Sequence, residues 1–168
     1  RLRDAAAAVR GDVRVLRSLL MDIYPPGLSA AGLGHALDDL AATARSRGVA
    51  VELDVPTAWE GLPAADEQLL YRVAQEALRN AVTHAAPCRV VIRLHRAGDD
   101  LELEVEDDGP GFDPAVLGAE PTGGHLGTRV LVDLAAQAGA ELSLATAPGE
   151  GTRWRLRLPA SAPAEAAS

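Results

Sequence analysis

The chain has 168 residues, a length that suits one compact domain with a sizeable core. Its 16 basic residues are all arginine and face 24 aspartates and glutamates, which gives a formal net charge of −8. That charge predicts no binding to nucleic acid and no direct contact with an anionic membrane. The lack of lysine excludes a phosphate site built on a P-loop lysine and any Schiff-base mechanism.

The compartment is predicted from cysteine content and hydropathy. Cys88 is the single cysteine, so no internal disulfide can form, and no run of about 18 apolar residues is present to span a bilayer. The first residues also lack the apolar segment of a signal peptide. We therefore expect a cytoplasmic protein, with tethering through regions outside this sequence left open.

The order of predicted elements indicates the fold class. Apolar residues three and four apart predict helices over residues 2–24, 29–47, 64–85 and 127–138. Alternating apolar residues predict strands over 49–55, 89–95, 101–107, 141–145 and 152–158. The sum is an α+β fold, a two-layer sandwich whose mostly antiparallel sheet is covered on one face by helices and preceded by a helical segment. Residues 109–124 hold five glycines and three prolines and are predicted to form a functional loop.

One strand carries a carboxylate toward the predicted core. A period of two puts Asp107 on the face of Leu101, Leu103 and Val105, opposite Glu102, Glu104 and Glu106. The following Gly109-Pro110-Gly111 would let a flat ligand approach the backbone. We expect Asp107 to accept a hydrogen bond from the exocyclic amine of a heterocycle; a solvated aspartate that caps the turn is the alternative.

The last strand alternates basic and apolar side chains. Arg153, Arg155 and Arg157 share one face, and Trp154, Leu156 and Leu158 share the other. A phosphate-binding row of arginines is conceivable, but cross-strand pairing with Glu102, Glu104 and Glu106 is favoured. This pairing predicts that strands 101–107 and 152–158 are neighbours.

The helix over residues 64–85 has a polar stripe of Glu76, Asn80 and His84 at positions i, i+4 and i+8. A carboxylate and a carboxamide one turn apart offer oxygens to a hard cation, and Mg²⁺ commonly takes its other ligands from water and phosphates. An ordinary solvated helix face remains the alternative.

Two glycine-rich segments complete the set of candidate sites. Gly123-Gly124-His125-Leu126-Gly127 opens a helix, whose free amides and positive dipole end bind anions without lysine. A plain turn is the alternative there, and Gly149-Glu150-Gly151-Thr152 is typical of a hairpin. Each signal is weak alone, but together they form an ordered set.

That ordered set resembles the N box and the three glycine boxes of sensor histidine kinases, which belong to the ATPase group shared with gyrase, Hsp90 and MutL. The residues that carry the resemblance are EALRNAVTHA (76–85), DDGPGF (107–112), GHLG (124–127) and GEGT (149–152). Residues 16–37 resemble the segment that joins the dimerisation helices to the ATP domain in the nitrate-sensor-like subfamily. The similarity covers about residues 10–158.

The resemblance implies a Bergerat-type ATP-binding fold, ATP and Mg²⁺ as cofactors, and a role for each box residue. Asp107 would accept the adenine amino group, Gly109 and Gly111 would shape the pocket, and Thr152 would close its adenine side. Asn80 would bind Mg²⁺, Glu76 would orient the metal's water or assist proton transfer, and His84 would reach the phosphates or ribose. Gly124, His125, Leu126 and Gly127 would cradle the phosphates, and residues 112–123 would form the ATP lid.

The implied protein is a histidine kinase that donates the γ-phosphate to a histidine on a separate helix, for relay to a response-regulator aspartate. Its parts would be the end of a dimerisation helix with a linker (1–27), the catalytic domain (28–158) and a disordered tail (159–168). A homodimer could form through the N-terminal helix. Alternatives are an anti-sigma-factor serine kinase, an inactive docking module of the same fold and a hydrolytic ATPase.

Two residues depart from the family's pattern. Thr83 stands before the box histidine where lysine is common, and Thr128 stands after Gly127 where leucine is common. Arg79 is near enough on the helix to compensate for the missing lysine.

Overall fold

The computed structural model describes residues 26–56, 62–115 and 126–159. Three α-helices are present there: α1 (Pro26–Arg45), α2 (Ala64–Asn80) and α3 (Leu126–Gln137). A π-helical turn, Ala81–Ala85, follows α2 directly. The strands are β1 (Val49–Asp54), β2 (Cys88–Ala97), β3 (Asp100–Asp107), β4 (Glu141–Thr146) and β5 (Thr152–Leu158). The helix predicted over residues 2–24, most of the linker 1–27 and nearly all of the predicted tail 159–168 lie outside the described residues.

Helix α1 is broken near its start and anchored near its end. Its backbone leaves the helical region at Gly32, where φ is 79°. The helix ends at Arg45, two residues before the predicted end, and Gly48 then adopts a φ of 91°. The Arg45 guanidinium donates two hydrogen bonds to the Val51 carbonyl, at 3.1 and 2.8 Å, and so ties the end of α1 to β1.

The five strands form one sheet in the order β1-β2-β3-β5-β4. Strands β1 and β2 are parallel, and every other neighbouring pair is antiparallel. Parallel strands need a crossover connection, which α2 supplies between β1 and β2. The mixed, mostly antiparallel sheet and the adjacency of β3 and β5 are as predicted.

The core lies between the helices and one face of this sheet. Alternate residues of β3 and β5 are buried there because successive side chains of a strand point to opposite faces. Trp154 is 2 % exposed and pairs in register with Val105 and Leu144. Leu70 and Val73 of α2 are fully buried on the helical side. The two-layer α+β sandwich predicted from the sequence is therefore confirmed.

The opposite face of the sheet carries a ladder of ion pairs. Arg153 Nη2 lies 2.6 Å from Glu106 Oε1, and Arg155 Nη2 lies 2.7 Å from Glu104 Oε1. The predicted pairing of the arginines with Glu102, Glu104 and Glu106 fails for Arg157, while Glu102 lies 3.5 Å from Arg155. Arg157 is opposite Glu102 in register, but its Nε lies 2.7 Å from Asp100 Oδ2. A long arginine side chain reaches beyond its directly opposite residue, so register alone does not choose its partner.

In the part of the chain that the structure describes, no helix combines the length and the hydropathy that crossing a bilayer would require.

Candidate nucleotide site

One cavity of about 240 Å³ lies where four separate segments of the chain meet. Those segments are the end of α2 with its π turn, the end of β3 with the loop after it, the first turn of α3, and the β4–β5 hairpin. Its lining is partly polar and partly apolar and consists of Asn80, His84, Ala85, Asp107, Pro110, Gly111, Phe112, Thr128, Leu144 and Thr152. A cavity of this composition suits a ligand that is flat and apolar in one part and polar in another.

Asp107 is the half-buried carboxylate of this cavity. It ends β3 on the core-facing side of the strand, as its position after Leu103 and Val105 predicts. Its Oδ1 accepts a hydrogen bond from the Gly109 backbone N–H at 2.9 Å. Burial raises the pKa of Asp107; hydrogen bonds from Gly109 and Thr152 oppose that rise, and the charge of Asp108 adds to it. The Asp107 carboxylate is therefore a hydrogen-bond acceptor that is only partly exposed to solvent.

The loop after Asp107 is tied to the β4–β5 hairpin. The Gly149 N–H donates to the Pro110 carbonyl at 2.7 Å, and the Phe112 N–H donates to Thr146 Oγ1 at 3.1 Å. Gly111 has a φ of 56°, and a Cβ there would lie 2.0 Å from the Ala147 carbonyl oxygen. A side chain at this position would force the two loops apart, so glycine is required for the close approach.

Asn80 and His84 reach the same cavity from the helical side. The sequence predicts α-helix through residue 85, but the α-helix ends at Asn80 and the next five residues form a π turn. Turns of this kind occur mostly as single turns within α-helices and are frequent at functional sites. The predicted polar stripe is thus interrupted between Asn80 and His84, yet both residues line the cavity.

Glu76, unlike Asn80 and His84, does not line the cavity. Its carboxylate is 12 % exposed and forms an ion pair with Arg79, whose Nη2 lies 2.5 Å from Glu76 Oε1. A Cβ added at Gly127 would lie 2.5 Å from that same Oε1. The Glu76–Arg79 pair therefore supports the first turn of α3, and Arg79 is engaged with a carboxylate.

The structure brings together most of the candidate residues that it describes. Asn80, His84, Asp107, Gly111 and Thr152 line one cavity, and Gly109 packs against Ala85 and the Asp107 carboxylate. Helix α3 begins at Leu126, and Gly127 packs on Glu76. Gly124, His125 and the side chain of Leu126 lie outside the described residues.

Several lining residues were not predicted as site residues. Leu144 and Thr128 were not candidates, and Phe112 was assigned to the lid although it lines the cavity. The one available signal was at Thr128, where a hydroxyl replaces an apolar residue of the family's pattern. Leu144 gave none, because an alternating strand pattern does not tell a ligand contact from a core contact.

Solved structures with the same arrangement identify the class of domain. The histidine kinase domain of the Erythrobacter litoralis EL346 blue-light activated histidine kinase is 26% identical, with a TM-score of 0.62 over 77% of this chain and 60% of that one. The mycobacterial sensor histidine kinase MprB, 24% identical, shares the fold with a TM-score of 0.58 over 74% of this chain and 93% of that one. The fold is that of histidine kinase ATPase domains.

The sequence comparison defines the family more closely. The profile of the histidine kinase-, DNA gyrase B-, and HSP90-like ATPases matches residues 65–162, more than half of the chain. The chain belongs to this family and carries the ATPase domain of sensor histidine kinases. Similar proteins include the sensor histidine kinase YhcY of Bacillus subtilis, 31% identical over 147 residues, and the sensor protein VraS of Staphylococcus aureus, 27% identical over 144 residues. Each alignment covers 86% of this chain but only 36% and 40% of the respective relative, so the chain spans well under half of their length.

Proposed function

We propose that this chain is the catalytic domain of a sensor histidine kinase, which binds Mg·ATP and presents the γ-phosphate to a histidine on a separate helix. The phosphoryl group would then pass to an aspartate of a response regulator. The observation that carries the proposal is the convergence of Asp107, Asn80, His84 and Thr152, from three separate segments, on one cavity. Relatives that are sensor histidine kinases favour this function over a serine kinase of the anti-sigma type.

The cavity fits adenine. Its wall has apolar surface from Pro110, Phe112 and Leu144 beside the acceptor carboxylate of Asp107. Adenine presents a flat apolar face and one amino donor, so Asp107 would accept from the amino group while Thr152 closes that side. Gly109 and Gly111 would shape the pocket, since neither position has room for a side chain. ShkA, whose solved structure shares this fold, was crystallised in complex with AMPPNP, an ATP analogue, which agrees with a nucleotide ligand.

The other end of the cavity would hold the phosphates. Asn80 and His84, which line the cavity, would face them, and Gly124, His125, Leu126 and Gly127 would cradle the phosphates with the amides that open α3. The described residues contain no group of three or more His, Cys, Asp or Glu side chains able to hold a metal alone. The amide oxygen of Asn80 would suit Mg²⁺, which binds through one or two protein ligands together with substrate phosphates and water.

In this mechanism the protein positions groups rather than reacting covalently. Asn80 would give an amide oxygen to the metal, which neutralises charge on the phosphates when bound. Glu76 would orient the metal's water shell or accept a proton, for which its carboxylate would have to leave Arg79. His84 would hold the phosphates or ribose from the π turn. Catalysis then rests on alignment of the γ-phosphate with the incoming histidine.

Calorimetric titration of ATP, with Mg²⁺ and with a chelator, tests the proposal. We expect adenine-selective binding that Asp107→Asn weakens at least about tenfold, because the amide turns a donor toward the adenine amino group or loses the charge that strengthens the bond. Asp108→Asn is the matched control: Asp108 accepts from the Arg89 N–H at 2.7 Å and does not line the cavity. Equal affinity of the Asp107→Asn variant and the unsubstituted protein would contradict the adenine assignment.

A further inference from the structure

Thr128 is an unusual residue in this structure because it is polar and buried. Among the residues that the structure describes, Thr128 is the one polar residue that is buried, with 8 % of its surface exposed. It lies in the first turn of α3 and lines the cavity beside Asn80 and His84. Apart from Gly151, the other buried residues have aliphatic or aromatic side chains.

The Thr128 hydroxyl has no hydrogen-bond partner within the described ranges 26–56, 62–115 and 126–159. Burial of a hydroxyl without a partner is unfavourable, since the hydrogen bonds to water are lost and nothing replaces them. Valine has nearly the same shape and would avoid that cost. A ligand in the cavity that offers an acceptor would remove the cost, because the hydroxyl would then have a partner.

The position of Thr128 indicates which part of a ligand it meets. Its neighbour Gly127 packs on the Glu76 carboxylate, one helical turn before Asn80, so Thr128 lies at the Asn80 side of the cavity. The first N–H groups of α3 have no partner within the helix, and the positive end of the helix dipole points the same way. An anionic oxygen is the acceptor that this end of the cavity favours.

We propose that the Thr128 hydroxyl donates a hydrogen bond to a phosphate oxygen of the bound nucleotide, and so adds a side-chain contact to the backbone amides of α3. This inference rests on the proposed function. It makes Thr128 a binding residue that selects nucleotides over the nucleoside.

The test compares ATP, ADP and adenosine binding to Thr128→Val, Thr128→Ser and the unsubstituted protein by calorimetry. We expect valine to weaken ATP and ADP binding about tenfold, the loss of one hydrogen bond to a charged group, and to leave adenosine binding within about twofold. Serine keeps the hydroxyl and should bind all three ligands nearly as the unsubstituted protein does. Thr128→Val should also melt at a higher temperature without ligand, because it removes a buried hydroxyl that has no partner among the described residues.

Four outcomes would overturn the proposal. Unchanged ATP binding in Thr128→Val would show that the hydroxyl contacts no ligand, and an equal loss for adenosine would place the contact away from the phosphates. A lower melting temperature without ligand, together with weaker binding of all three ligands, would mean that the hydroxyl supports the fold. Absence of ATP binding by the unsubstituted protein would overturn the proposed function as well, which separates the two failures.

Discussion

At the scale of one residue, the ionisation of Asp107 affects the stability of the fold as well as ligand binding. Its pKa is raised by burial, so the folded state holds the proton more tightly than the unfolded state does. Ionisation at neutral pH therefore costs stability, and this cost disappears as the pH falls through the raised pKa. We expect Asp107→Asn to unfold at a higher urea concentration than the unsubstituted protein at about pH 7, with a smaller difference at about pH 4. A variant less stable at neutral pH would show that the carboxylate supports the fold.

Gly111 tests the close approach of the two loops. A Cβ there would collide with the Ala147 carbonyl oxygen, whereas a Cβ at Gly98 would meet nothing within 4 Å although both residues have positive φ. Gly98→Ala should cost about 1–2 kcal/mol for the left-handed backbone, and Gly111→Ala about 1–3 kcal/mol more for overpacking. Urea unfolding measures both, and ATP titration should show a loss of affinity for Gly111→Ala alone. Equal destabilisation by the two substitutions would mean that the loops can separate freely.

At the scale of elements, the ladder of ion pairs on the outer face of the sheet connects β3 with β5. Arg155 donates to Glu104 Oε1 at 3.1 and 2.7 Å, and this hydrogen bond lowers the pKa of Glu104. A lowered carboxyl pKa gives stability that is present above its ordinary value and is lost as the pH falls through the folded-state value. A double-mutant cycle of Glu104→Gln and Arg155→Gln should show a small coupling, weaker in 1 M salt and absent at low pH.

Leu103, in the same strand as Glu104, allows the effect of burial to be compared with that of the ion pair. Leu103 is fully buried beside Glu104, and Leu103→Ala should cost about 2–5 kcal/mol whatever the salt concentration. A coupling between Glu104 and Arg155 as large as that loss would contradict the assignment of the ladder to a solvent-screened surface. The burial of β3, more than its charges, should therefore set the stability of the sheet.

At the scale of the whole molecule, the chain should act on a histidine that it does not carry. His84 lines the cavity, His95 is on the outer face of the sheet within 3.9 Å of Glu102, and His35 is exposed on α1. With labelled ATP, we expect no acid-labile phosphohistidine on the chain alone and labelling of an added histidine-bearing helical domain from a related kinase. Labelling of the chain itself would contradict this division, and an acid-stable product would indicate a hydroxyl acceptor.

The sequence predicted several of the residues that line the cavity and missed others. Asp107, Asn80 and His84 were candidates from local patterns of strand and helix, Thr152 was a candidate from the resemblance to histidine kinases, and all four line the cavity. Thr128 and Leu144 escaped, since their access to the cavity depends on how α3 and β4 pack against distant segments. Glu76 was expected beside Asn80 as a metal ligand, but the Arg79 side chain three residues later pairs with it. The metal role of Glu76 stays a prediction.

Within the residues that the structure describes, the sequence by itself determined the type and order of the elements and the faces that they bury, because periodicities of two and near 3.6 follow directly from the backbone geometry of strands and helices. Tertiary structure decided which side chains share the cavity, that Arg157 turns to Asp100, and that α2 ends in a π turn. Those outcomes depend on contacts between residues far apart in the chain, where a shift of one or two ångströms changes the partner of a side chain.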